Sequence, residues 1–145
     1  MPKNCRHWAL LFFDKSAIIV AGEIEMYIYY NPNPKGSLVG DCVIRAITKA
    51  TGQSWDDVYI HVAMQGYCEK NMPSANTVWG NYLKSIGFIR RTISGYCTIA
   101  EFCRMNSIGV FVLGTGTHVV AAENGSYFDA WDSGGEIALY YFEKV

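Results

Sequence analysis

Three short stretches of this chain hold side chains that could together break an acyl bond: GDCVIRAI (40–47), GTHVV (116–120) and DAWDSG (129–134). A cysteine attacks carbonyl carbon as its thiolate, and the first turn of a helix favours the thiolate through free amides and the helix dipole. Cys42 sits at such a place. Asp41 is an N-cap candidate, Val43, Ala46, Ile47 and Ala50 form an apolar stripe, and Gly52 stops the predicted helix. The thiolate next needs an imidazole to pair with and to protonate a leaving group, and a third group to orient that ring. Of the three histidines, His7 lies in the N-terminal flank and His61 falls inside a second predicted helix. His118, at the start of a predicted strand, is the candidate base.

The third group follows from hairpin geometry. If Asn124-Gly125 are the central residues of a type I′ turn, 123 faces 126, 120 faces 129 and 118 faces 131. Side chains alternate across a strand, so 118, 120, 129 and 131 share one face. Asp129 is then the diagonal neighbour of His118 and within reach of its ring. Trp131 stands opposite, where it can shield that bond from water. Asp132 points to the other face and is carried as an auxiliary candidate.

The elements that must position these residues divide in two. Residues 8–30 are apolar and β-branched or aromatic with a break near Asp14, which predicts one or two strands, and NPNPKGS (31–37) is a loop. After the Cys42 helix, Ser54 and Asp57 resemble a capping box opening a second helix with Trp55, Val58, Val62 and Ala63. A third helix from near Ser74 to Gly87 is expected to bury Val78, Tyr82, Leu83 and Ile86. FIRRTI (88–93) is a short strand, and TIAEFCRMN (98–106) a short helix capped by Thr98. IGVFVL, HVVAA, SYFDAW and EIALYYF then read as four strands separated by glycine-rich or Asn-Gly turns. The expected fold class is α+β, an N-terminal helical half packed on a C-terminal antiparallel β-sheet.

Composition narrows the function classes. With 145 residues, 50% of them apolar and 17% charged, the chain suits one packed domain. A net charge of −1 gives no electrostatic footprint for nucleic acid or an anionic membrane. No apolar run approaches the ~20 residues of a membrane span. The basic N-terminus resembles a signal peptide, but Asp14 and Lys15 interrupt its apolar stretch, so a cytoplasmic protein is expected. The five cysteines form no CxxC pair and no zinc-ligand spacing, which predicts free thiols and neither metal nor organic cofactor.

The order of these motifs resembles the papain-like cysteine peptidases. GDCVIRAI is similar to that family's nucleophile helix, GTHVV to its histidine strand, and DAWDSG to its Asn-x-Trp-Gly segment, over a layout covering residues 27–142. The short spacing between Cys42 and His118 is more similar to compact bacterial members such as the bacteriocin-leader-processing peptidases than to papain itself. The resemblance implies a papain-like fold and a thiol hydrolase acting on a peptide or protein substrate through Cys42, His118 and Asp129. One departure concerns the glutamine that precedes the cysteine and helps bind the oxyanion; its position, 36, is glycine. Asn31 or Asn33, with the Cys42 amide, is the expected substitute. Two rivals remain open: a thiol acyltransferase of transglutaminase type using the same residues, and an inactive relative that binds a peptide or partner protein. Residues 1–25 contain nothing the site requires, so the catalytic domain is expected over 26–145, with Met26 as an alternative start.

Overall fold

A computed structural model describes residues 26–145. The part of the predicted strand region before residue 26, and Cys5 and His7, lie outside the described residues. The elements run β1 (Tyr27–Tyr29), α1 (Cys42–Thr51), α2 (Trp55–Glu69), α3 (Asn76–Ser85) and β2 (Phe88–Thr92), then α4 (Ile99–Met105), β3 (Val110–Gly114), β4 (Val119–Glu123), β5 (Ser126–Asp129) and β6 (Tyr140–Lys144). The chain is α+β, as its patterning predicts.

Local chemistry explains the helix limits. Gly52 closes α1 in the left-handed conformation at φ 73°, its N–H returning to the Thr48 carbonyl. Ser54 accepts from the Asp57 amide to start α2, one half of the capping box. Thr98 and Glu101 form the complete box at α4. Asp41 departs from expectation. It precedes α1 but makes no capping bond, because its carboxylate is drawn into the interior by partners described below.

The sheet order is β1-β5-β4-β3-β6-β2. This corrects the expected all-antiparallel sheet of the C-terminal half. β1 pairs parallel with β5, while β2, from the helical half, closes the far edge against β6. The remaining ladders are antiparallel. One sheet face carries Val112, Val119, Ala121, Tyr140 and Phe142 against Ile44, Ile47, Val58, Trp79 and Leu83 from α1–α3. The opposite face carries Phe111, Leu113, Val120 and Ala122 against Ile99, Phe102 and Cys103 of α4. The sheet is thus covered on both sides, and β4, with Val119 through Ala122 all buried, reads as a continuous apolar run for that reason. Ile86 does not join the core. It follows the last turn of α3 and stays exposed. No helix among the described residues is long and apolar enough to cross a membrane.

Candidate active site

The β4–β5 hairpin has the predicted register. Asn124 and Gly125 both hold positive φ, 50° and 86°, as a type I′ turn requires. Glu123 pairs with Ser126, Ala122 with Tyr127 and Ala121 with Phe128. Continued along the hairpin, that register sets His118 across from Trp131, and their rings lie 5.0 Å apart. Asp129 ends β5, and its Oδ2 accepts from His118 Nε2 at 2.6 Å.

His118 is held from behind by a tight turn. Thr115 Oγ1 accepts from the His118 amide at 2.9 Å and from the Thr117 amide at 3.2 Å, while the Thr115 amide donates to the His118 carbonyl. TGTH is therefore a strand-to-strand turn. Because Asp129 occupies Nε2, Nδ1 is the nitrogen left for the thiol. Cys42, half-buried at the first position of α1, has that imidazole as its hydrogen-bonding and charge partner. The imidazole and carboxylate are directly bonded, and the thiol shares the cleft with the imidazole.

The charge states follow. Burial by itself pushes the Cys42 thiol up, but the hydrogen bond and charge of His118, the Val119 amide and Arg45 outweigh it, and the thiol falls below its ordinary value. Burial likewise opposes the His118 cation, yet hydrogen bonds and charge from Asp129 and Cys42 raise its pKa to about 9. Asp129, wholly buried, is depressed: burial works against its charge, and His118, Ser133 and the Ala130 amide prevail. The other buried thiols behave oppositely. Burial and Glu101 push Cys97 up, and burial with Cys97 pushes Cys103 up to about 12. Cys42 is the activated sulfur of the three.

Asp129 has further partners that the sequence patterning did not reveal. Ser133 Oγ donates to Oδ2 at 2.6 Å, the Ala130 amide to Oδ1 at 2.8 Å, and Arg45 Nη2 and Nε to the same Oδ1 at 3.0 and 3.2 Å. Arg45 also donates through Nη1 to Asp41 Oδ1, and Trp55 Nε1 donates to Asp41 Oδ2 at 2.8 Å. The Asp41–Arg45 spacing of four along a helix was the one available signal.

Asp132 takes no part in this network. Its carboxylate accepts from Tyr127 Oη and from the Gly134 amide, shaping the turn after β5. Asn31 and Asn33 are corrected as oxyanion donors. Asn31 Nδ2 donates to the Gly36 and Ser37 carbonyls, and Asn33 Oδ1 accepts from the Lys35 amide, so both side chains are engaged in building the 31–37 loop. Neither lines the cleft. The opening amides of α1 precede the first intrahelical bond, from Arg45 N–H to the Asp41 carbonyl, and so have no helical partner.

The thiol and imidazole open onto a cleft of about 520 Å³. One wall is apolar, with Val39, Trp55, Tyr59 and Pro73, and the other is the Thr115–His118 turn. A carbonyl carbon held here would meet a thiolate on one side and a protonated imidazole beside it, with helix amides facing its oxygen. No family model, curated protein or solved structure gives a significant match to the chain.

Proposed function

We propose that the protein is a papain-like thiol hydrolase acting on an amide or peptide bond. The Cys42 thiolate adds to the carbonyl carbon, and the carbonyl π electrons move to oxygen, facing the Cys42 amide. Collapse of that tetrahedral adduct expels the amine, which takes the proton from His118, and leaves an acyl thioester on Cys42. Water, deprotonated by His118, then hydrolyses the thioester, returning the thiol to its resting pair. Asp129 holds the imidazole in the needed orientation and stabilises its cationic form, and Trp131 lies against the ring.

The observation that carries this reading is the meeting of the Cys42 thiol and the Asp129-bound His118 imidazole in one accessible cleft. It is tested by iodoacetamide labelling across pH, with the modified residue located by mass spectrometry. Cys42 should react ahead of the other thiols at pH 6, and His118→Ala should remove that advantage. A Cys42 profile matching an unperturbed thiol in both proteins would overturn the proposal. Should hydrolysis be seen, an added amine separates it from acyl transfer by product analysis. A non-catalytic peptide-binding cleft is the second reading, favoured by the position of Asn31 and Asn33 outside the cleft lining, in the 31–37 loop.

A further inference from the structure

Arg45 is only 5% exposed and performs none of the steps above. A guanidinium withdrawn from water costs several kcal/mol unless its donors are fully paired. Here the pairing joins two distant places. Through Nη1 it holds Asp41, the residue immediately before the thiol, and through Nε and Nη2 it holds Asp129, the carboxylate behind the imidazole. Each end is itself anchored. Trp55 on α2 fixes the free oxygen of Asp41, and His118 and Ser133 take the free oxygen of Asp129. The Asp129 carboxylate cannot turn without breaking contacts on both of its edges.

We propose that Arg45 is a positioning residue whose planar guanidinium sets the spacing between the start of the thiol-bearing helix and the hairpin that carries the imidazole, and fixes Asp129 with Oδ2 toward His118. This rests on the thiol–imidazole reading above. The ionisable groups around that pair are Asp41 and Arg45 on α1, Tyr59 on α2 and Asp129 on β5. A lysine at position 45 would keep the positive charge but, as a point donor, could not span both carboxylates with a fixed fork.

The test uses the full chain with Arg45→Lys, and follows Cys42 alkylation by iodoacetamide from pH 5.5 to 9 beside a urea melt. In the wild type the rate at pH 6 should stay within a few-fold of its value at pH 8. In folded Arg45→Lys the rate at pH 6 should fall at least about tenfold, with the profile displaced toward that of a free thiol near 8.5. A lysine variant that melts earlier yet keeps the wild-type pH profile would reduce Arg45 to a structural ion pair and overturn the proposal. If Arg45→Lys shows no cooperative melt, Asp41→Asn decides: it loosens only the tie to the helix start and should displace the profile the same way by about threefold at pH 6. An unmoved profile there overturns the proposal equally. An ordinary-thiol profile in the wild type is a different failure, since it removes the hydrolase reading itself and Arg45's role with it.

Discussion

Replacing Cys42 with alanine should change the shape of the protein's pH–stability curve, not only its height. In the folded wild type His118 carries its proton up to about pH 9, while the Cys42 thiol is lowered, burial opposing and His118 driving the shift. In the unfolded chain the ordinary values of about 6.5 and 8.5 apply. If the site rests as the proposed thiolate–imidazolium pair, the folded state holds one proton on nitrogen between those two values, and the unfolded state holds one on sulfur. Equal proton counts make stability independent of pH. Cys42→Ala removes the sulfur half of that balance. The raised histidine then acts alone: its contribution is full below about pH 6.5 and is lost as pH rises through the folded value. A rise from 6.5 to about 9 corresponds to at most about 3.5 kcal/mol at ~1.4 kcal/mol per unit. The alanine variant should show less, about 1–2 kcal/mol, because the thiolate's share of the rise is gone. With the His118 side chain 10% exposed, solvent screening leaves most of that effect in place. Urea unfolding at pH 6, 7, 8 and 9 reads it directly. The wild type should stay level between about pH 6.5 and 8.5 relative to a Cys42→Ala/His118→Ala double variant, and Cys42→Ala should fall. Parallel curves for wild type and Cys42→Ala would mean that no thiolate–imidazolium pair exists.

Two further outcomes test the surroundings. Asp129→Ala strands Arg45 and unpairs His118, and should cost about 3–5 kcal/mol in urea melts, against about 1–3 kcal/mol for Asp132→Ala, which frees only Tyr127 Oη and the Gly134 amide; the reverse ranking would contradict the network. Gly114→Ala would drive a Cβ into the Tyr140 ring, just before the turn that holds His118. It should lower stability by about 1–3 kcal/mol, whereas Gly116→Ala, with nothing within 4 Å of its Cβ, should change thermal stability little.

What could be read from the sequence, and what could not, divides along the line between local and distant causes. Asn124-Gly125 dictates its own turn, and the turn dictates register, so the meeting of His118 with Asp129 was legible from some fifteen residues. The start of α1 was also legible, but Asp41 was given the wrong task. A capping aspartate and a buried one look alike until the partner of Arg45, far along the chain, is known. The parallel pairing of β1 with β5 has no local signature, because parallel neighbours share no turn. For α4 the apolar stripe says that a face is buried but not which side of the sheet buries it. Ser133 sits in a stretch whose glycines and aspartate signal a turn, and its hydroxyl found Asp129 only through that turn's particular path. The loop asparagines lie away from the cleft for a related reason: Asn31 and Asn33 bond within their own turn-rich segment.

The distance in sequence between helix α1 and the β4–β5 hairpin has a consequence for the newly made chain. During synthesis the segment around Cys42 leaves the ribosome first, and His118 and Asp129 follow only after an interval on the order of ten seconds at ordinary elongation rates. Through that interval the sulfur has neither its imidazole nor the carboxylate behind it, and is a common thiol. On the proposed reading its activation waits for the docking of the last quarter of the chain, which completes the central sheet. Under the proposed function, translation order alone would separate an emerging polypeptide from its own nucleophile, and a product truncated before the hairpin should alkylate as an ordinary thiol.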